Sequence, residues 1–150
     1  MKLYIVYFRT MEDSPMVSIV CATTSKAVAD EQFAKAKAEA KELTQDYGGD
    51  SGNWYEARKR VFNVPGIKTG DTIHLLVRTE WYELVKTDIV PFVRKEDAES
   101  LVAKMKADYL EEFPGIAPFD EDETIEEARV LDDEDEQVTI YFDIVDAKVQ

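Results

Sequence analysis

The chain has one cysteine, one histidine, six glycines and five prolines in 150 residues. The lone cysteine, Cys21, excludes an intramolecular disulfide, and with no export signal in view a reducing cytoplasm is the expected home. The lone histidine, His74, brings no acid–nucleophile arrangement of the kind a catalytic triad needs. Long apolar runs are missing too. Leu3 to Phe8 is the longest and stops at Arg9, too short for a membrane span or a signal-peptide core, so no membrane association is expected. Glycine is too sparse for a phosphate cradle. Gly48-Gly49-Asp50-Ser51-Gly52 fits neither a Walker nor a dinucleotide pattern, and reads as a loop.

Basic residues run out part-way along the chain. Residues 1–106 hold 16 acidic and 16 basic side chains, whereas residues 107–150 hold 16 acids against Arg129 and Lys148 alone. The net charge of −14 therefore lies wholly in the last 44 residues (2 − 16). Such a distribution disfavours direct contact with nucleic acid or anionic membranes and favours basic partners.

What is present is alternation and period. Leu3–Phe8 reads as a buried strand, Met16–Ala22 as its hairpin partner with Val17, Ile19 and Cys21 on one face, and Trp54–Phe62 as a third strand. Between them Ser25 is a fitting N-cap. After it Ala29, Phe33, Ala36, Ala40 and Leu43 form one apolar helical stripe. The order then recurs. Thr72–Val77 and Leu84–Phe92 read as strands, and Glu96–Leu110 as a helix whose Ala98, Val102, Met105 and Tyr109 each lie 69 residues after a stripe residue of the first. Nine identities fall at that offset between residues 3–42 and 72–111, Arg9/Arg78 and Thr10/Thr79 among them. Glu56-Ala57-Arg58 returns as Glu127-Ala128-Arg129, and Val138–Val145 is a last alternating strand. The expected architecture is α+β: tandem ββαβ units, residues 1–66 and 67–150, packed as one compact domain with mainly antiparallel sheet and two helices on one face. One disagreement stands. Val17, Ile19 and Cys21 align with Lys86, Asp88 and Val90, a slip that a bulge or insertion near Trp81 would repair. Pro91 places its strand at an edge or its own residue near a strand end.

No residue set specifies catalysis. His74 sits in an apolar strand and reads as a partly buried residue with a local hydrogen-bond partner, and Cys21 reads as a small hydrophobe. A carboxylate pair such as Glu126 and Asp143 would have to converge for an enzyme, and nothing in the pattern requires it. Calcium-loop spacing fails from both Asp120 and Asp132, because its sixth position lacks glycine. No metal, cofactor or catalytic residue is expected.

Two readings of binding remain. The acidic positions are Glu111, Glu112, Asp120, Glu121, Asp122, Glu123, Glu126, Glu127, Asp132, Asp133, Glu134, Asp135 and Glu136. They are either a solvated face that aids solubility or a polyanion mimic. Extended chain spaces charges by about 3.3 Å, close to the roughly 3.4 Å phosphate spacing of a nucleic-acid strand. The preferred expectation is a non-enzymatic acidic protein that docks on a basic protein surface. A nucleic-acid-binding protein or complex is the natural target, as an inhibitor or regulator would require. The alternative is an interaction or adaptor module using a sheet edge with Trp54, Trp81 and Tyr82 as anchors, the acids serving only solubility.

Overall fold

A computed structural model describes residues 1–81, 84–112, 125–131 and 137–150, and for 50, 110, 112, 125–131 and 137–139 it describes the backbone. The fold is α+β, and among the described residues it has two α-helices and two separate sheets rather than one continuous sheet. Contacts divide the chain into unit 1, Met1–Ile73 with Ala147–Gln150, and unit 2, His74–Asp146. Among the described residues no helix is long and apolar enough to cross a membrane.

Unit 1 is built on β1 (Lys2–Met11), which pairs antiparallel with β2 (Pro15–Thr23) on one side and β3 (Trp54–Asn63) on the other. Helix α1 (Lys26–Tyr47) starts where Ser25, in extended backbone, accepts a hydrogen bond from the Val28 amide. Thr23 accepts from the Ser25 amide and fixes the entry of the chain. The helix stops at Gly48, whose amide bonds to the Thr44 carbonyl; a Cβ there would meet that oxygen at 2.5 Å. The buried stripe of α1 is alanine-rich (Ala29, Ala36, Ala40), and these residues favour helix while adding little bulk between helix and sheet. Beneath them lie Tyr4, Val6 and Cys21, with Phe8, Val20, Phe33 and Ala57 at the margin. On the other face of β1, Leu3, Ile5 and Tyr7 are also buried. That two-sided burial is why the strand reads as an unbroken apolar run.

Residues 147–150 complete unit 1. Val149 is buried and forms a parallel bridge with Ala22, and its carbonyl accepts from the Gly70 amide. The Gln150 carbonyl accepts from the Thr24 amide and from the Thr23 hydroxyl.

In unit 2 the strand order is β5 (Val85–Phe92), β4 (Thr72–Trp81), β7 (Gln137–Lys148), β6 (Ile125–Leu131). Helix α2 (Lys95–Glu112) lays Val102 on Leu76, Ile140 and Phe142, with Leu101, Met105, Tyr109, Val90, Phe92 and Ile144 around them. The alternation expected of Ile140, Phe142 and Ile144 holds. Pro91 lies in edge strand β5, one residue from its end, where a missing amide costs no ladder bond on the open side. The strand beside β4 is β7 and not β6, so Glu127-Ala128-Arg129 sits at a sheet edge two places from β4, whereas the identical Glu56-Ala57-Arg58 in β3 lies directly beside β1.

The hairpins correct two expectations. In β1–β2, Val6 pairs with Cys21 but Tyr7 pairs with Ile19, leaving Val20 as an extra residue. This bulge puts Cys21 on the α1 side and Val17 and Ile19 on the opposite one, so the three do not share a face. In β4–β5 the ladder runs from His74–Phe92 to Trp81–Val85 with no shift, so the irregularity is in the first hairpin and not near Trp81. The pairs Phe8–Ser18 and Arg78–Asp88 correspond at an offset of 70, whereas Cys21 and Val90, the partners of Val6 and Leu76, correspond at 69. The one-residue conflict at offset 69 thus coincides with the Val20 bulge. It also means that Arg9 and Arg78, identical at offset 69, face opposite ways. Arg9 points away from α1 toward Glu56, and Arg78 bonds Tyr109 on α2.

Candidate functional site

The acidic positions are only in part among the described residues. Glu111 is exposed near the end of α2 and Glu112 is its last residue. Glu126 and Glu127 stand in β6, opposite Phe142 and Tyr141. Asp120, Glu121, Asp122, Glu123, Asp132, Asp133, Glu134, Asp135, Glu136 and Tyr82 lie outside the described residues. Trp54 opens β3 in unit 1 and Trp81 closes β4 in unit 2; both are half-buried.

Of the residues considered for chemistry, His74 has a side-chain partner, and Cys21 and Asp143 are shifted by burial. His74 Nδ1 lies 2.6 Å from Oδ1 of Asp146, in the local partnership expected of it. Cys21 is buried, and that burial pushes its thiol pKa up, away from thiolate character. Burial likewise raises the Asp143 carboxyl. The β6–β7 register sets Asp143 opposite Ile125, not opposite Glu126.

Among the described residues, charged and aromatic side chains gather around β3, the edge strand of the first sheet. All ten of its residues pair with β1 without a register shift. On the face away from α1 stand Trp54, Glu56, Arg58, Arg60 and Phe62. The Arg9 guanidinium lies 5.3 Å from the Trp54 ring centroid and 3.6 Å from Glu56, which also holds Arg58 at 2.7 Å. Arg60 lies 5.1 Å from the Phe62 ring. Tyr7, paired with Arg58, has its phenol pKa raised by burial in spite of the surrounding guanidinium groups of Arg60, Arg58 and Arg9. Tyr55 donates to Glu12 in the hairpin at 2.9 Å.

On the α1 side Lys59 donates to Asp30 at 2.6 Å, and Lys26 donates to the other oxygen of the same carboxylate at 2.8 Å. These two ammonium groups hold the Asp30 pKa down to about 2. The Phe33 ring is flanked by Lys37 at 5.4 Å and Lys59 at 5.5 Å. A hollow of about 340 Å³ runs along this flank of α1, lined by Asp30, Phe33, Ala34 and Lys37. Helical period puts Phe33 in a core stripe, and Arg58-Lys59-Arg60 matches no motif. Three successive bases inside a strand were the available signal, since such a run cannot be buried on both faces.

Comparison with protein-family models, with curated proteins and with solved structures finds no match for this chain.

Proposed function

We propose that the chain is a non-enzymatic protein-interaction module that captures a partner segment along β3. The observation that carries this reading is the form of the edge: ten residues in regular register, with half-buried aromatics and exposed bases, beside a hollow on the adjoining helix. Strand addition to an open edge draws affinity from backbone hydrogen bonds and specificity from alternate side chains. Trp54 is pre-ordered by Arg9, which lowers the entropic cost of using it as an anchor.

A second reading rests on the charge segregation in the sequence. The acids of residues 107–150 would dock on a basic surface, as a polyanion mimic or a regulator of a nucleic-acid-binding protein. Capture of partners from host-cell extract by the intact chain separates the two. Under strand capture, Trp54→Ala weakens recovery of the partner more than neutralising Asp132–Glu136 to Asn and Gln. Loss of the partner on neutralisation alone, with a steep fall in added salt, establishes the acidic reading instead.

We also propose that the units are tandem copies of one ββαβ block. In support, both hairpins close over three residues, and the offset changes from 70 to 69 at one bulge and keeps that value through the helices.

A further inference from the structure

Three sheet edges present described side chains, and they are not alike. The outer side of β2 is bulged at Val20 and bridged at Ala22 by Val149. The β5 edge is shorter and carries Pro91. Only β3 is long, regular and without proline, the form that invites indiscriminate strand pairing unless charge guards it. Its guard is Arg58-Lys59-Arg60, and the three cations are not equivalent. Lys59, on the α1 side, is bonded to Asp30, which Lys26 also holds. Arg58 and Arg60 are exposed on the other face. Arg58 shares Glu56 with Arg9, and Arg60 has no carboxylate partner among the described residues. Val61, beside Lys59 on the α1 face, is 48% exposed.

From this we infer that, within the strand-capture reading on which it rests, β3 accepts an extended segment that alternates acidic and apolar residues. A strand added to β3 sends successive side chains to opposite faces. Those beside Arg60, and beside Arg58, which shares the Glu56 carboxylate with Arg9, meet an excess of positive charge, so carboxylates are favoured there. Those beside Lys59 and Val61 meet an ammonium already bonded to Asp30, an exposed valine, and a hollow in which Phe33 and Ala34 lie between Asp30 and Lys37, so apolar side chains are favoured there. The same cations that repel a basic edge, and that a neutral edge would desolvate without pairing, thus select the complementary one. Residues 1–73 hold ten bases and ten acids, so the site belongs to a charge-balanced segment. A single-stranded nucleic acid would need an open aromatic sheet face, and the face of β1 beside Arg58 and Arg60 is closed, with Ile5 and Tyr7 buried.

The test uses the intact chain and labelled peptides of about nine residues, long enough to span β3. Glu-Val, Ser-Val and Lys-Val alternating peptides are compared by fluorescence anisotropy, with hydrogen exchange of the β3 amides as the site readout. The Glu-Val peptide is expected to bind about tenfold more tightly than the Ser-Val peptide and to slow exchange within Trp54–Asn63. The double variant Arg58→Glu, Arg60→Glu is expected to reverse the preference toward Lys-Val, a gain of binding that an unfolded variant could not give. If Ser-Val or Lys-Val protects β3 as well as Glu-Val does, the acidic–apolar inference is overturned and strand capture stands. If no peptide protects β3, both fail. Oligothymidine that binds at β3 in preference to the Glu-Val peptide overturns the inference in favour of nucleic acid.

Discussion

Lys59 on β3 donates a 2.6 Å hydrogen bond to Asp30 on α1, so one ion pair ties the edge strand to the helix beside it. That pair both sets the electrostatics of the proposed groove and gives unit 1 a measurable titration.

The folded Asp30 carboxyl titrates at about 2, below its ordinary 3.8, held down first by its bond to Lys26 and then by that to Lys59. A depressed carboxyl contributes stability above its ordinary range and loses it as pH falls through the folded value. An NMR titration should therefore place the Asp30 midpoint near 2. Lys26→Met should move it upward more than Lys59→Met.

Asp143 has the opposite sign. Burial raises its pKa, so its ionised form opposes folding at neutral pH and the opposition fades as pH falls through the carboxylate range. Asp143→Asn should raise the melting temperature at neutral pH and change it little in acid. An unchanged or lowered value at neutral pH would show that the carboxylate is favourably bonded where it stands.

Cys21 lies under α1 opposite Val6, with its thiol pushed toward the neutral form. Reaction with a water-soluble disulfide reagent should be slow in the native protein and immediate in denaturant. Its native rate should follow the opening of unit 1 rather than the reagent's intrinsic chemistry.

Val149 should behave as a core residue of unit 1 despite standing 76 positions after Ile73, the last residue of that unit's long segment (149 − 73). Val149→Asp buries a charge without a partner and should cost about 3 kcal/mol or more in urea unfolding. The neighbouring exposed Lys148→Asp should cost less than about 1 kcal/mol. Faster exchange of the Gly70 and Thr24 amides in Val149→Asp would locate the damage, because those amides bond to residues 149 and 150.

Much of the fold could be read from pattern. The stripe Ala29, Phe33, Ala36, Ala40 and the Ser25 cap predict α1 because helix period and capping are local properties. The alternation at Ile140, Phe142 and Ile144 predicts β7 for the same reason. The Val20 bulge was visible only as a one-residue conflict between the hairpins, and pattern placed it in the wrong one. A bulge is fixed by which residues pair across the ladder, and that depends on the partner strand. The candidate site was half legible. Trp54 stood out by type, but Phe33 looked like ordinary core, and Arg58-Lys59-Arg60 acquired meaning only with β3 at an edge.

The sequence by itself determined the two helices, most strands, and the concentration of negative charge in the last 44 residues, because period, caps and composition need no knowledge of distant neighbours. Tertiary structure alone decided which strands became edges, that β7 and not β6 lies beside β4, and that residues 147–150 complete unit 1. These are choices among long-range pairings that the same local pattern permits. They are settled by which burial and hydrogen bonding can be satisfied together.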